Sequence, residues 1–419
     1  MRKTKLIFFV LILSLFCSVS LVWSSGGAET VKIGGLIPLT GPLAEFAQGM
    51  RLAGELAETQ FLQAGFPIDV IYYDTETSAI PGVNAARTLV DIDGVVGIIG
   101  ASASGVTIPV AESVAIPSKV PQMSNASTSP VITDLPADEG QDFLFRTVVT
   151  DAVQGVVLGM LATEEGYKRA AVFWINSAYG QGLFGQFKVS FEHRGGSVVA
   201  DVAHDEKPAP TYVSELRKIM EENPDVLLCI GYPGHATVYL KEFFEAGYDK
   251  TTDLLFCDGT KSVEMPDTLG AETLAGFKGT VPAAMASKSL DNFNAGYTEL
   301  FDAPPPLPYM DTFYDAVAVF GLAAAAVQAK GLPLTGANVR DQLRAVANPP
   351  GVEVYAGVEG FKTALDLIKK GTDVNYEGAS GSVDFNSKGD VSTPIQIFRY
   401  VSASPYIEEV RLVTDIPEK

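Results

Sequence analysis

The sequence predicts an α/β protein built from two parallel-sheet units in succession. Two observations carry this expectation. Short apolar runs of strand length alternate, from Val31 onward, with segments whose apolar residues recur at helical spacing. The same alternation restarts after Thr150-Asp151, in a second unit of similar length with no residue-level repeat between the two. Such alternation with short loops places helices over both faces of a parallel sheet.

The first unit opens with VKIGGLIP. Thr40-Gly41-Pro42 breaks that run before a helix carrying Phe46, Met50, Ala53, Ala57 and Phe61 on one face. PIDVIYYD is the second strand, Ala79–Ile92 the second helix, GVVGIIG the third strand and VPQMSNA the fourth. FLFRTVV follows, and Thr150-Asp151 reads as the cap of a helix that buries Val153, Val156, Val157, Met160 and Leu161. In the second unit AAVFWIN, SVVADVA, VLLCIG and LLFCDG are strands. Gln181–His193, Tyr212–Glu222 and His235–Ala246 are its helices, the last closed by Gly247. Beyond GFKGTVPA stand the Pro-rich loop Ala303-Pro304-Pro305-Pro306 and helices over Asp311–Lys330, Gly336–Val346 and Gly360–Lys370. GSVDFNSKGDVSTPIQIFRYV reads as a turn at Asn386–Asp390 flanked by strands.

A chain of 419 residues, 47% of them hydrophobic, suffices for two to three domain units with well-filled cores. Arg2, Lys3 and Lys5 precede the apolar run Leu6–Val22 and small residues near Ser24–Ala28, which predicts a cleaved secretory signal over residues 1–25. Ser14, Cys17, Ser18 and Ser20 interrupt that run, so it is short for a membrane span. Phe16 stands where a lipoprotein signal carries a small residue, which disfavours a lipid anchor at Cys17. No comparable apolar run is read beyond it, so the mature part is expected to be soluble. The formal net charge is −20, and −23 once the leader's three basic residues are removed, which argues against nucleic acid or anionic membrane as partners. Cys229 and Cys257 lie near the ends of two strand-like runs. A disulfide is open to them in an oxidising compartment, but adjacent parallel strands rarely give its geometry, and two buried thiols are expected.

The candidate site centres on Gly94–Pro130. There GVVGIIG ends in Gly100-Ala101-Ser102-Ala103-Ser104-Gly105, and the next strand ends in Ser124-Asn125-Ala126-Ser127-Thr128. Two neighbouring strand ends then carry hydroxyls, and one opens a helix. Free N–H and O–H donors of this kind suit a carboxylate, although the same residues also serve as caps and turns. Ligands of open α/β sheets bind beyond the carboxyl ends of the strands. Enzyme motifs are wanting. Ser104 occupies the place where a nucleophile elbow needs glycine, and the sequence has no Walker loop, G-x-G-x-x-G or H-E-x-x-H. Of the three histidines, His193 and His204 read as surface residues and His235 as a residue of the cleft rim without an acidic partner. No enzyme, metal or cofactor is expected.

Six segments in order, VKIGGLIPLTGPLAEFAQG, GASASGVTIP, MSNASTSPVIT, NSAYGQG, FCDG and VDFNSKGD, resemble the leucine/isoleucine/valine-binding family, the extracytoplasmic solute-binding proteins of branched-chain amino acid ABC transporters. The resemblance covers essentially the whole mature chain. It implies a type I periplasmic binding protein: two Rossmann-like lobes, parallel sheets flanked by helices, joined by a three-strand hinge. Lobe 1 is then expected over 30–148 plus about 280–385, and lobe 2 over 149–279 plus about 386–419. It also implies that Ser104, Ala126 and Thr128, with Ser102 as a further donor, hold a ligand α-carboxylate and share its α-ammonium. Phe46 lines the side-chain pocket, and Tyr179 and, by a looser match, Tyr232 close over the ligand. Asp258 meets the α-ammonium where the family carries Glu, one methylene longer. A buried zwitterion needs this set, since unpaired buried charges are costly. The implied function is capture of an apolar amino acid by lobe closure and delivery to a permease, by a periplasmic monomer without a cofactor. The alternatives left open are an amide, urea or aromatic-acid binder, or a sensor read by a receptor. Arg146 is left outside the site, as an ion-pair residue between lobes.

Overall fold

The computed structural model describes residues 30–416, so the expected leader and Cys17 lie outside the described residues. Lobe 1 is organised on five parallel strands: β1 (Val31–Ile37), β2 (Ile68–Asp74), β3 (Ile98–Gly100), β4 (Gln122–Ser124) and β5 (Leu144–Arg146). Their order is β2-β1-β3-β4-β5. Ile33, Leu36, Ile98 and Ile99 are fully buried, as central strands covered on both faces require. Lobe 2 carries β6 (Arg169–Ile175), β7 (Ser197–His204), β8 (Val226–Ile230), β9 (Asp253–Phe256) and β10 (Lys278–Pro282). The chain then returns to lobe 1, where β11 (Val352–Tyr355) and β12 (Val374–Glu377) form a small parallel pair. It comes back to lobe 2 as β13 (Ile395–Tyr400) and β14 (Ile407–Val413), completing the order β14-β13-β10-β9-β8-β6-β7.

Both late strands run antiparallel, β13 to β10 and β14 to β13. The alternation pattern had suggested parallel strands only. For β14 the reason is local: residues 401–406 are too few for the crossover a parallel neighbour needs.

Helix Met310–Ala329 is long and apolar enough to span a membrane by composition, which the sequence reading passed over. It is a core helix: 94% of its apolar window is buried inside the protein, against helices Ala44–Gln63, Gly336–Ala347 and Val358–Lys369. Asp315, on this helix, is fully buried and accepts from Tyr376 Oη (2.8 Å), Ala379 N (2.9 Å), Ser380 N (2.7 Å) and Ser380 Oγ (2.6 Å). That carboxylate pins the segment after β12 to the lobe.

Three segments cross between the lobes, 147–150, 283–287 and 391–394, and Ala283 N donating to Pro394 O at 3.0 Å ties two of them. Thr150 caps helix Asp151–Glu164, its Oγ1 accepting from Ala152 N at 3.3 Å. The turn at Asn386–Asp390 forms, but the strand expected before it is reduced to a single bridge between Ser382 and Glu377, because those residues pack around Asp315 and Asn348 instead. Helix Lys288–Phe301, capped by Ser287, was not anticipated. Arg146 is an ion-pair residue, but within lobe 1 rather than between lobes, because residues 389–390 still pack on β5 before the third crossing: fully buried, it meets Asp390 at 2.6 Å and donates to Ser129 O (3.0 Å) and Thr133 Oγ1 (2.7 Å).

Candidate ligand-binding site

The cleft between the lobes is lined by Leu43, Phe46, Met50, Ser102, Ser104, Ala126, Tyr179, Tyr232, Asp258, Gly259 and Tyr309, around about 350 Å³ of empty space including its mouth. The lobes touch on several sides of it. Glu45, in the first turn of helix Ala44–Gln63, accepts from Ser262 Oγ (2.6 Å), Val263 N (2.7 Å) and Glu264 N (3.1 Å) across the cleft. Gly234 N donates to Pro42 O (3.2 Å) and Ser129 Oγ to Ala178 O (2.8 Å). This is a closed conformation.

From lobe 1, β3 ends at Gly100, whose φ of +112° places its α-carbon where a side chain would meet Leu36 O at 2.3 Å. Only glycine permits that approach. The chain then turns into helix Ser104–Val110, whose first N–H groups have no partner within the helix. Ser104 Oγ accepts from Ser129 N at 3.3 Å, which leaves its own proton to donate, and Ser102 Oγ contacts Met50 Sδ at 3.3 Å. After β4, Ser124 and Ser127 spend their hydroxyls on Ala101 O (3.1 and 2.8 Å), and Ala126 between them lines the pocket. Thr128 is not among the lining residues. Its buried hydroxyl lies by Asp151 and has no hydrogen-bond partner of good geometry.

From lobe 2, Tyr179 sits in the first turn of helix Ala178–His193, which begins three residues earlier than its pattern suggested because Ser177 caps it. Tyr232 precedes helix Pro233–Glu245, and the two rings lie 5.6 Å apart and nearly parallel, at 9°. Asp258 follows β9. Its Oδ1 accepts from Tyr179 Oη (2.8 Å) and Gln154 Nε2 (3.0 Å), and its Oδ2 from Tyr309 Oη (2.6 Å). Gly259 beside it has no room for a side chain, which would meet Gly231 O at 2.3 Å and Tyr179 Oη at 2.8 Å.

Tyr309, Gln154 and Asp151 were not foreseen. Tyr309 lies after the Pro-rich loop and shows no motif. Gln154 and Asp151 sit at the start of a helix whose sequence signals only a cap and an apolar face. Asp151 is fully buried, and neither of its oxygens is hydrogen-bonded with good geometry. Burial, then the Asp258 charge, push its carboxyl well above the ordinary range, against the Thr128 hydroxyl and Arg146. Burial likewise raises Asp258, opposed by donation from Tyr309, Tyr179 and Gln154. No lysine or arginine lines the pocket. Two buried carboxylates thus repel one another, and among the described residues neither is in an ion pair at contact distance.

The histidines are placed differently from expectation. His204 is buried, its ring 4.9 Å from Phe173 and 4.7 Å from His235, because β7 turns inward at its end. His235 is wholly buried rather than at a rim, its Nε2 3.0 Å from Glu206 O. Burial lowers both to about 4. Cys229 and Cys257 are free buried thiols, and burial pushes Cys257 up to about 12. Among the described residues no group of three or more metal-ligating side chains forms.

Residues 30–403 match the periplasmic binding protein family. The chain belongs to that family. Its members are periplasmic proteins that bind small solutes, and that coarse role is this chain's as well. It is 27% identical, over 86% of its length and 84% of the relative's, to a chemotactic signal transduction system substrate-binding protein, BasB, of Halobacterium salinarum. To the leucine-, isoleucine-, valine-, threonine-, and alanine-binding protein of Pseudomonas aeruginosa it is 25% identical, over 82% and 88%. The fold matches a leucine binding protein, LivK, from Thermotoga maritima with a TM-score of 0.75 at 22% identity, covering 92% and 99%. It also matches a Rhodopseudomonas palustris solute binding protein in complex with 3,4-dihydroxy benzoic acid, TM-score 0.72 at 20% identity, covering 93% and 98%.

Proposed function

We propose that this protein captures a small zwitterionic amino acid in the periplasm, as a monomer, and hands it to an ABC permease. The observation that carries the reading is Asp258, a buried carboxylate in a pocket whose lining holds no lysine or arginine, with the charge of a second buried carboxylate, Asp151, acting on it from outside the lining. Such a pair is costly until a positive charge arrives. Facing them are neutral donors suited to a carboxylate: the Ser104 hydroxyl, the start of its helix and the Ala126 backbone. Ser102 adds a hydroxyl, and Thr128 acts through Asp151. Phe46, Leu43 and Met50 give an apolar wall to the side chain. Carboxylate donors lie in lobe 1 and the ammonium partner Asp258 in lobe 2, so only the closed form serves both ends, and the ligand favours closure by that differential affinity.

The solved neighbour holding an aromatic acid keeps a second reading in view, in which the ligand has no amine. The names of the relatives support the amino-acid reading, and the chemotactic one supports a sensing role on the same binding chemistry. A thermal-shift screen of the mature protein against amino acids, amides and benzoates separates these. A ligand at 100 times its Kd adds about 2.7 kcal/mol. Stabilisation by amino acids, lost in Asp258→Asn, is the expected result; stabilisation by benzoates alone overturns it.

A further inference from the structure

We infer that the cation this pocket prefers is an N-methylated ammonium, so that the ligand is a betaine-type zwitterion rather than a primary amine. The inference rests on the zwitterion reading above and specifies its positive end. Four aromatic residues line the pocket around Asp258: Phe46 and Tyr309 from one lobe, Tyr179 and Tyr232 from the other. All are nearly withdrawn from solvent, at 1%, 5%, 3% and 6% exposure, so a cation among them is desolvated. The Phe46 and Tyr309 rings stand 6.2 Å apart and tilted at 41°, and the two lobe-2 rings stack on each other. Aromatic faces arranged about a carboxylate attract a cation through the ring quadrupole, and this works without any N–H donor.

The hydrogen bonding points the same way. A carboxylate has about four acceptor sites. Three of those on Asp258 are taken by Tyr179, Gln154 and Tyr309, so the group offers its charge more freely than its lone pairs. A primary ammonium brings three donors, each needing an acceptor once buried. A methylated one brings fewer or none and meets ring faces with its methyl groups.

Calorimetric titration of the unmodified mature protein with glycine, N-methylglycine, N,N-dimethylglycine and trimethylglycine tests this. Affinity is expected to rise with methyl count, by about tenfold or more across the series. Tyr232→Leu is expected to lose about fivefold more for trimethylglycine than for glycine, while Tyr232→Phe keeps the native ratio. If glycine or leucine binds and the first methyl weakens binding, the methylated-ammonium inference falls and the zwitterion reading stands. If no amine binds and a benzoate does, both fall. Absence of binding by every methylated member also overturns the inference.

Discussion

Two buried acidic centres lie close to the lobe junction, and they are built on opposite principles. Asp390 is neutralised by Arg146, whose remaining donors reach Ser127 O, Ser129 O and Thr133 Oγ1, so both charges are spent within the protein. Asp151 and Asp258 have no such partner at contact distance; Tyr179, Tyr309 and Gln154 hold Asp258 in place without cancelling its charge. The first centre belongs to folding. The second is left incomplete, and what it lacks describes the ligand.

The sharpest way to break this contrast is to remove the internal cation. Arg146→Ala is expected to cost about 3–5 kcal/mol in denaturant unfolding, because it leaves Asp390 buried and unpaired, whereas Arg146→Met with Asp390→Leu costs much less. At the other centre the signs reverse. Asp258→Asn should weaken an ammonium ligand about 100-fold or more by calorimetry, yet leave the ligand-free protein as stable or more so, since it removes an uncompensated charge. An unfolding midpoint that drops as far as for Arg146→Ala would show that Asp258 is structural.

Next in size is the contact over the mouth. Glu45→Gln is expected to cost about 1 kcal/mol of closed-state stability, seen as a several-fold faster ligand off-rate with little change in on-rate. Smallest is the pH response. Asp151 and Asp258 are both raised in the folded state above the ordinary 3.8, so the free fold binds more protons than the unfolded chain. Their contribution to stability is therefore greatest below that ordinary value and is lost as pH rises through the raised values. Ligand affinity moves the opposite way over the same window, because an ammonium pairs with the ionised form. Melting curves with and without ligand should diverge as pH rises; parallel curves would refute the linkage.

Much of this was legible in the sequence, and the reasons differ by element. The central parallel strands β1, β3, β8 and β9 were readable because each is a mostly apolar, buried run, the pattern of a strand covered on both faces, while the edge strands β2 and β7 are only half-buried. The antiparallel edge was not, since β14, Ile407–Val413, is largely exposed and broken by Glu408, Glu409 and Arg411. At the site, Phe46, Ser102, Ser104, Ala126, Tyr179, Tyr232 and Asp258 all line one cleft, and all stand at strand ends or helix starts. Tyr309 eluded the reading because a loop residue enters the cleft only through tertiary structure. Asp151 eluded it for a different reason: in sequence an acid at the start of a helix looks like a dipole partner, and only burial makes its charge an unsolved problem.

The Glu45 contact has a consequence for traffic at the membrane. Its three acceptor bonds join lobe to lobe and never touch the cargo. Each kcal/mol they contribute multiplies the ratio of shut to open empty carriers by about five. A permease that recognised shape alone would then suffer futile encounters, docking vehicles with nothing aboard. Telling loaded from empty therefore requires the receiving protein to sense more than the distance between the two halves, and a competition assay with unliganded carrier would read out how much more.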